Sequence, residues 1–203
     1  MENPNCRLCD LWQSADERSV CLKGGGSRDA KLVIYLDAPS IVEDRRHLPL
    51  VSEAADFLRF LLLRMSIMPS QVYVDYVLKC YPKNNKNIGK KAFRAEMIEA
   101  CSTYRVATLQ SIRPKALIAM GTIACEAFTG SSEIKGYVGT SWTCNEPRIR
   151  EIVEKVWVSY SPAYPLEAPA ESVPIYRTLF AAAEEAGLQP KLNKKTPLFD
   201  YGF

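Results

Sequence analysis

The sequence predicts an α/β fold in which helices cover both faces of a mainly parallel sheet. Four short apolar runs, rich in β-branched and aromatic residues, are typical of buried strands. They occupy residues 32–36, 72–78, 116–120 and 156–160. Longer segments separate the runs, and strands that alternate with helices form parallel sheets whose ligands bind at the carboxyl ends of the strands. We therefore expect functional residues in the loops that follow the four strands.

Four helices are predicted from apolar residues that recur every three or four positions. They span residues 53–64, 93–112, 121–128 and 173–186. Gly187 then provides a C-terminal stop, because glycine readily takes the left-handed conformation in which many helices end. The folded domain is therefore expected over residues 1–187, and residues 188–203 are expected to form a flexible tail with an apolar tip.

The composition is that of a single folded domain. Of the 203 residues, 47% are hydrophobic, which is too many for a disordered chain and enough for one core. No apolar run approaches the ~20 residues of a membrane span. Residues 1–6 lack the basic and apolar stretches of a secretory signal, so we expect a cytoplasmic protein.

Seven cysteines and a single histidine stand out. In an intracellular chain, seven cysteines argue for a metal site or buried thiols rather than for disulfides. The lone His47 excludes mechanisms that need two histidines, including a typical catalytic zinc site. Residues 6–9, Cys-Arg-Leu-Cys, have the C-x2-C spacing with which two thiolates of one turn hold a metal.

A closed metal site needs two further ligands, and Cys80 and Cys101 are the candidates. Cys80 ends the second predicted strand, and Cys101 lies in the helix that follows a basic loop. The remaining three, Cys21, Cys125 and Cys144, are expected to be small buried core residues, as free cysteines commonly are. Judged from the residues alone, both zinc and an iron–sulfur cluster fit the pattern.

Six sequence blocks occur in order along the chain. They are Cys-x2-Cys at 6–9, Leu-Asp-Ala-Pro-Ser at 36–40 with Glu-Asp at 43–44, Val-Leu-Lys-Cys-Tyr-Pro at 77–82, Glu-Met-Ile-Glu-Ala-Cys at 96–101, Ile-Arg-Pro-Lys-Ala-Leu-Ile-Ala-Met-Gly at 112–121, and Ser-Tyr-Ser-Pro-Ala-Tyr at 159–164. In order and spacing the chain resembles the family 4 uracil-DNA glycosylases, iron–sulfur members of the uracil-DNA glycosylase superfamily, over roughly residues 6–186.

The resemblance implies a three-layer α/β sandwich with a four-stranded parallel sheet, and a DNA glycosylase that hydrolyses the N-glycosidic bond of uracil. It also implies a 4Fe-4S cluster held by Cys6, Cys9, Cys80 and Cys101. In such proteins the cluster is mainly structural, a role that suits loops which bury little apolar area. A redox-sensing role of the cluster is the alternative.

The chain departs from the family's active-site motifs at four positions. Asp37 keeps an acid in a motif that has lost both glycines, and Leu50 stands where the family has a phenylalanine that stacks on uracil. Tyr76 replaces the asparagine that reads the edge of the base, and Ser161 replaces the histidine that stabilises the leaving base. Because excision needs stacking, edge recognition and charge stabilisation, we predict weak or absent uracil excision. An active glycosylase for uracil or a modified base is the alternative.

A basic loop separates Cys80 from Cys101. We expect its cations, together with Ser161, to contact DNA phosphates, because the loop leaves the carboxyl end of a central strand on the side where the family binds DNA. A merely solvated charge run is the alternative. The basic residues are Lys83, Lys86, Lys90, Lys91 and Arg94.

Residues 196–203 place four apolar side chains around one acid: Leu198, Phe199, Tyr201 and Phe203. Such a segment either folds back onto its own domain or docks in a groove of a partner. It is similar to the sliding-clamp-binding C-terminal peptides of tailed-bacteriophage DNA polymerases. The similarity implies a sliding clamp or DNA polymerase as partner, and the host cytoplasm as the location if a phage encodes the chain. We therefore expect a DNA-binding protein of replication or repair.

Overall fold

The computed structural model describes residues 3–14, 21–82 and 89–191. Within these ranges six strands form one sheet: β1 (Gly25–Gly26), β2 (Leu32–Leu36), β3 (Val72–Tyr76), β4 (Ala116–Met120), β5 (Ser141–Thr143) and β6 (Lys155–Ser159). The described α-helices are α1 (Leu11–Ser14), α2 (Ile41–Arg46), α3 (Glu53–Arg64), α4 (Lys91–Ala100), α5 (Ser102–Ile112), α6 (Thr122–Thr129), α7 (Pro147–Arg150) and α8 (Ser172–Glu185).

The strand order of the sheet is β1-β3-β2-β4-β6-β5. The four central strands are parallel, which confirms the predicted parallel sheet, and β1 and β5 add short antiparallel edges. Leu32 is in register with Val72 on one side and with Ala116 on the other, so β2, β3 and β4 end at the same level. The edge strands were not predicted because two and three residues are too few to show an alternating pattern.

Helices pack on both faces of the sheet, as predicted for a three-layer sandwich. Every residue of β2, β3 and β4 is buried. Successive residues of a strand point to opposite faces, and accordingly Ile34 lies in a core with residues of α3 and α8, whereas Tyr35 lies in a core with residues of α5 and α6. Truncation of a fully buried leucine such as Leu61 in α3 to alanine typically costs about 2–5 kcal/mol of stability.

The predicted helix over residues 93–112 is in fact two helices, α4 and α5, which meet at Cys101. Apolar residues on both sides of the junction, among them Ile98 and Val106, are buried. Because the apolar spacing continues through the junction, periodicity gave no sign of the break. The consequence is that Cys101 stands at a helix junction rather than within a helix.

The described fold extends slightly beyond the predicted boundary at residue 187. Leu188 is buried, and its backbone N–H donates to the Ala183 carbonyl at 2.9 Å. The Lys191 N–H donates to the Met65 carbonyl at 3.0 Å. The apolar segment 196–203 lies outside the described residues. None of the described helices is long and apolar enough to cross a membrane.

Candidate active site and cysteine centre

A cavity of about 230 Å³ opens at the carboxyl ends of β2, β4 and β6, the edge at which functional residues were expected. The chain segments that follow these three strands build its walls, together with a turn near residue 135. Its lining residues are Asp37, Gly121, Thr122, Ile134, Lys135, Tyr160, Ser161 and Tyr164. Two of the four predicted active-site positions, Asp37 and Ser161, therefore meet in one cavity.

The Asp37 carboxylate is fixed to the start of α6. Its Oδ1 accepts the Ala124 N–H at 2.7 Å, and the N–H groups of Ile123 and Thr122 also donate to it. Burial raises the pKa of Asp37 to about 6, although these three N–H groups oppose the shift by stabilising the charged form. A Cβ at Gly121, where φ is +112°, would lie 2.3 Å from Asp37 Oδ2, so the contact requires glycine there.

Tyr76 is held by the segment between β2 and α3, which contains α2. Its phenolic O–H donates to Glu43 Oε1 at 2.8 Å, and its oxygen accepts the Leu50 N–H at 3.0 Å. Glu43 is itself ordered, since its carboxylate accepts the Ser40 N–H at 2.7 Å and the Ser52 hydroxyl at 3.3 Å. The Tyr76 ring is fully buried. The Tyr76 hydroxyl thus joins β3 to this segment, and its only proton is donated to Glu43 within the protein.

Leu50 faces a different part of the surface from Asp37. Its Cδ1 lies 3.3 Å from the position that a Cβ on Gly25 of β1 would take. It lines an apolar cavity of about 240 Å³ together with Leu62 of α3 and Ile67. The structure therefore does not bring Leu50 and Tyr76 into the cavity that holds Asp37 and Ser161.

Two residues of that cavity, Lys135 and Tyr160, were not singled out from the sequence. Lys135 is exposed at its rim. The rings of Tyr160 and Tyr164 stack edge to face, with their centroids 5.2 Å apart, and form an aromatic wall. The two tyrosines flank Ser161 in the sequence, which was a usable signal, whereas a single lysine in a loop gave none.

The four predicted metal-binding cysteines lie together at the junction of the N-terminal segment, the end of β3 and the start of α5. Three of their sulfurs accept backbone N–H groups. Leu11 donates to Cys9, Cys21 donates to Cys80 at 3.4 Å, and Lys79 donates to Cys101. Burial raises the pKa of Cys80 to about 12 and that of Cys101 to about 11 when no metal binds them.

The four thiols have the chemistry of an iron–sulfur site, because thiolates are the soft ligands that such clusters use. Throughout residues 3–14, 21–82 and 89–191, no three His, Cys, Asp or Glu side chains converge closely enough to hold one metal ion. N–H groups that donate to cysteine sulfurs, as found here, are a usual feature of such sites.

A buried ion pair lies directly before Cys80 in the sequence. Lys79, only 1% exposed, pairs with Asp75 at the end of β3, and the Thr108 hydroxyl also donates to Asp75 at 3.4 Å. The ion pair was not predicted, because Lys79 was considered only as a member of the Val-Leu-Lys-Cys-Tyr-Pro block. It fixes the backbone that presents Cys80, and breaking such a buried pair typically costs about 3–5 kcal/mol.

The predicted DNA contacts are only partly described. Lys90 and Lys91, at the start of α4, are exposed, whereas Lys83 and Lys86 lie outside the described residues. Arg94 is largely buried and pairs with Glu126, which ties α4 to α6. Ser161 lies in the cavity, where its hydroxyl oxygen accepts the Ala163 N–H at 3.3 Å.

Comparison with known proteins identifies the family. A family model described as the uracil DNA glycosylase superfamily matches residues 23–183. The chain belongs to this superfamily. It is 31% identical over 142 residues to the type-4 uracil-DNA glycosylase of Archaeoglobus fulgidus, which covers 66% of this chain and 67% of that protein. The type-4 enzyme of Pyrobaculum aerophilum is 27% identical over 174 residues, 82% of both chains.

These relatives confirm the resemblance to family 4 of the uracil-DNA glycosylases. A third, from Sulfurisphaera tokodaii, is 28% identical over 176 residues, 81% of this chain and 73% of that protein. In this uracil-DNA glycosylase homologue, the fold and the edge of the sheet that carries the cavity are thus those predicted from the sequence.

Proposed function

We propose that this member of family 4 is a DNA-binding protein of replication or repair whose uracil excision is weak or lost. The observation that carries the proposal is the commitment of the Tyr76 phenol to Glu43 and to the Leu50 N–H. An amide at this position would offer the edge of uracil a donor and an acceptor at once. The phenol has one hydroxyl proton, and it donates that proton in a hydrogen bond to Glu43.

The other altered positions support the same conclusion. Ser161 presents a neutral hydroxyl, which stabilises a departing anionic base less than a protonated imidazole would. Leu50 packs towards β1 and cannot stack on a base in the cavity beside Asp37. Since loss of one charge-stabilising donor typically costs ~10²–10³ in rate, the combined changes leave little uracil excision.

The proposed 4Fe-4S cluster is held by Cys6, Cys9, Cys80 and Cys101. When bound, it would supply covalent cross-links between the N-terminal segment, the end of β3 and the α4–α5 junction. The protein orients these ligands through the N–H groups of Leu11, Lys79 and Cys21. A structural role is the proposal, because the ligands tie together segments that are distant in sequence, and redox sensing is its alternative.

DNA would bind across the surface that carries the cavity and the start of α4. The proposed phosphate contacts are made by Lys90 and Lys91, which are exposed, and by Lys83 and Lys86, which lie outside the described residues. Arg94 is paired with Glu126, which neutralises its charge. We therefore expect its phosphate contact to be the weakest of the set. Such contacts set position on DNA without reading sequence.

The partner proposal concerns residues 196–203. We retain a sliding clamp or DNA polymerase as the partner of Leu198, Phe199, Tyr201 and Phe203, on the similarity of this segment to clamp-binding peptides. A tether of this kind raises the local concentration at DNA without any sequence preference. Removal of residues 196–203 should abolish clamp binding and leave thermal unfolding unchanged, and retained binding would contradict the partner proposal.

An active glycosylase for uracil or a modified base is the second candidate, and the cavity favours it. The cavity joins an acid, Asp37, to a cation, Lys135, beside the aromatic wall of Tyr160 and Tyr164. An acid can orient water, a cation can stabilise a leaving base and an aromatic ring can stack on it. This candidate retains base excision, either of uracil or of a modified base.

One assay separates the two candidates. Duplex and single-stranded oligonucleotides carrying uracil, hypoxanthine or a 5-modified pyrimidine are incubated with the protein and treated with alkali, which cleaves abasic sites. We expect no cleavage above that of a Ser161→Ala/Asp37→Asn control. Cleavage of any one substrate at rates well above this control would overturn the first proposal and support the second.

A further inference from the structure

A fifth thiol, that of Cys21, lies beside the cysteine centre, the group formed by Cys6, Cys9, Cys80 and Cys101. Cys21 is fully buried, and its backbone N–H donates to the sulfur of Cys80 at 3.4 Å. The next residue continues the contact, since the Leu22 N–H donates to the Lys79 carbonyl at 2.8 Å. Residues 21–22 therefore run alongside the segment that presents Cys80.

Cys21 and Cys6 share the same hydrogen-bonding partners. The Tyr104 hydroxyl contacts the sulfurs of both cysteines and accepts the Asn3 side-chain N–H at 3.2 Å. The backbone N–H of Asn3 donates to the Cys21 sulfur, while its carbonyl accepts the Cys6 N–H at 3.0 Å. Two thiols that contact one phenolic oxygen lie side by side. Tyr104 has a single proton and can donate it to only one of the two sulfurs at a time.

The two thiols differ in how firmly the protein holds them. Cys6 is only partly buried and lies on the short N-terminal segment, whereas Cys21 has no exposed surface. Cys21 is also the one whose backbone is bonded to another cysteine of the centre, Cys80. The corner of the centre that Cys6 occupies therefore contains a second, better-anchored sulfur.

We propose that Cys21 is a reserve ligand of the iron–sulfur cluster, able to take over the iron that Cys6 binds. This inference rests on the proposed cluster. In the exchange, the iron–sulfur bond to Cys6 breaks and one to Cys21 forms. The Cys21 thiol gives up its proton and the released Cys6 thiolate takes one, so no oxidant or reductant is needed. The other three ligands stay in place.

The test is iron and sulfide content per chain in five full-length proteins after anaerobic reconstitution. The proteins are the wild type, Cys6→Ala, Cys9→Ala, Cys21→Ala and Cys6→Ala/Cys21→Ala. We expect about four irons in the wild type, in Cys21→Ala and in Cys6→Ala, and fewer than half of that in Cys9→Ala and in the double variant. Electron paramagnetic resonance of the reduced proteins reports whether the same cluster type persists.

Two outcomes would contradict the reserve-ligand proposal, and a third would contradict the cluster. If Cys6→Ala loses iron as completely as the double variant does, Cys21 is not a reserve ligand. The same holds if Cys6→Ala fails to fold by circular dichroism while Cys21→Ala folds, because an available Cys21 would have held the corner. A wild type that binds no iron, or binds zinc without sulfide, would instead contradict the proposed cluster itself.

Discussion

Asp37 Oδ1 accepts the backbone N–H of Ala124 at 2.7 Å, which fixes the acid that follows β2 to the first turn of α6. The contact crosses the edge of the sheet from β2 to the helix that follows β4. It stabilises the amino end of α6, where unpaired N–H groups favour a negative charge. It also holds the carboxylate in the wall of the cavity that Ser161 lines as well.

Asp37 should make stability fall as pH rises. Its pKa of about 6 in the folded state lies above the usual 3.8, so the folded state binds this proton more tightly than the unfolded state does. The resulting stabilisation is present at low pH and is lost as pH rises through about 6. We expect wild type to lose about 1 kcal/mol relative to Asp37→Asn between pH 5 and pH 8, measured by urea unfolding. An unchanged difference across that range would contradict the assignment.

Tyr76→Phe should destabilise the protein by about 1–3 kcal/mol, because it leaves Glu43 and the Leu50 N–H without their shared partner. The matched control is Tyr164→Phe, the same chemical change at a residue that is 41% exposed, which should cost less than about 0.5 kcal/mol. Equal midpoints of denaturation for the two variants would show that the Tyr76 hydroxyl holds nothing in place.

Cys101→Ala should lower both iron content and thermal stability, since Cys101 is a proposed cluster ligand at the α4–α5 junction. Cys144→Ala removes a thiol that is at least as buried and should leave the iron content at the wild-type level. Metal analysis together with thermal unfolding checks both. Equal iron in the two variants would remove Cys101 from the ligand set.

Lys90→Gln/Lys91→Gln should weaken DNA binding and flatten its dependence on salt. Each lost contact to duplex DNA reduces the slope of log K against log salt by about 0.9. The control is Lys31→Gln/Lys115→Gln, which removes two exposed lysines at the amino ends of β2 and β4, the opposite edge of the sheet. Fluorescence anisotropy over a salt series measures both slopes, and equal slopes for the two variants would place DNA elsewhere.

The fold followed from short-range patterns, whereas the site depended on contacts that no pattern contains. The bounds of α3 were predicted to the residue because its apolar spacing begins and ends with the helix. The junction at Cys101 was missed because the spacing continues across it. Sequence also placed Asp37 and Ser161 at one edge. It could not show that the Tyr76 hydroxyl bonds Glu43, 33 residues away, since that pairing exists only once β3 and the loop pack together.

The position of Cys21 beside the cysteine centre also depends on contacts that the sequence does not show. From the sequence Cys21 was expected to be an ordinary core thiol, because free cysteines are commonly small buried core residues. Only the packing of residues 21–22 against residues 79–80 brings it beside the predicted ligands.

The most direct measurement of the central claim is the single-turnover rate of uracil release from duplex DNA, with protein in excess so that all DNA is bound. Wild type is compared with Tyr76→Asn/Ser161→His, which restores the two family side chains at their positions. We predict that wild type binds DNA but releases uracil at or near the background rate, and that the double variant releases it faster. Rapid release by wild type, at a rate that the double variant does not exceed, would contradict the account.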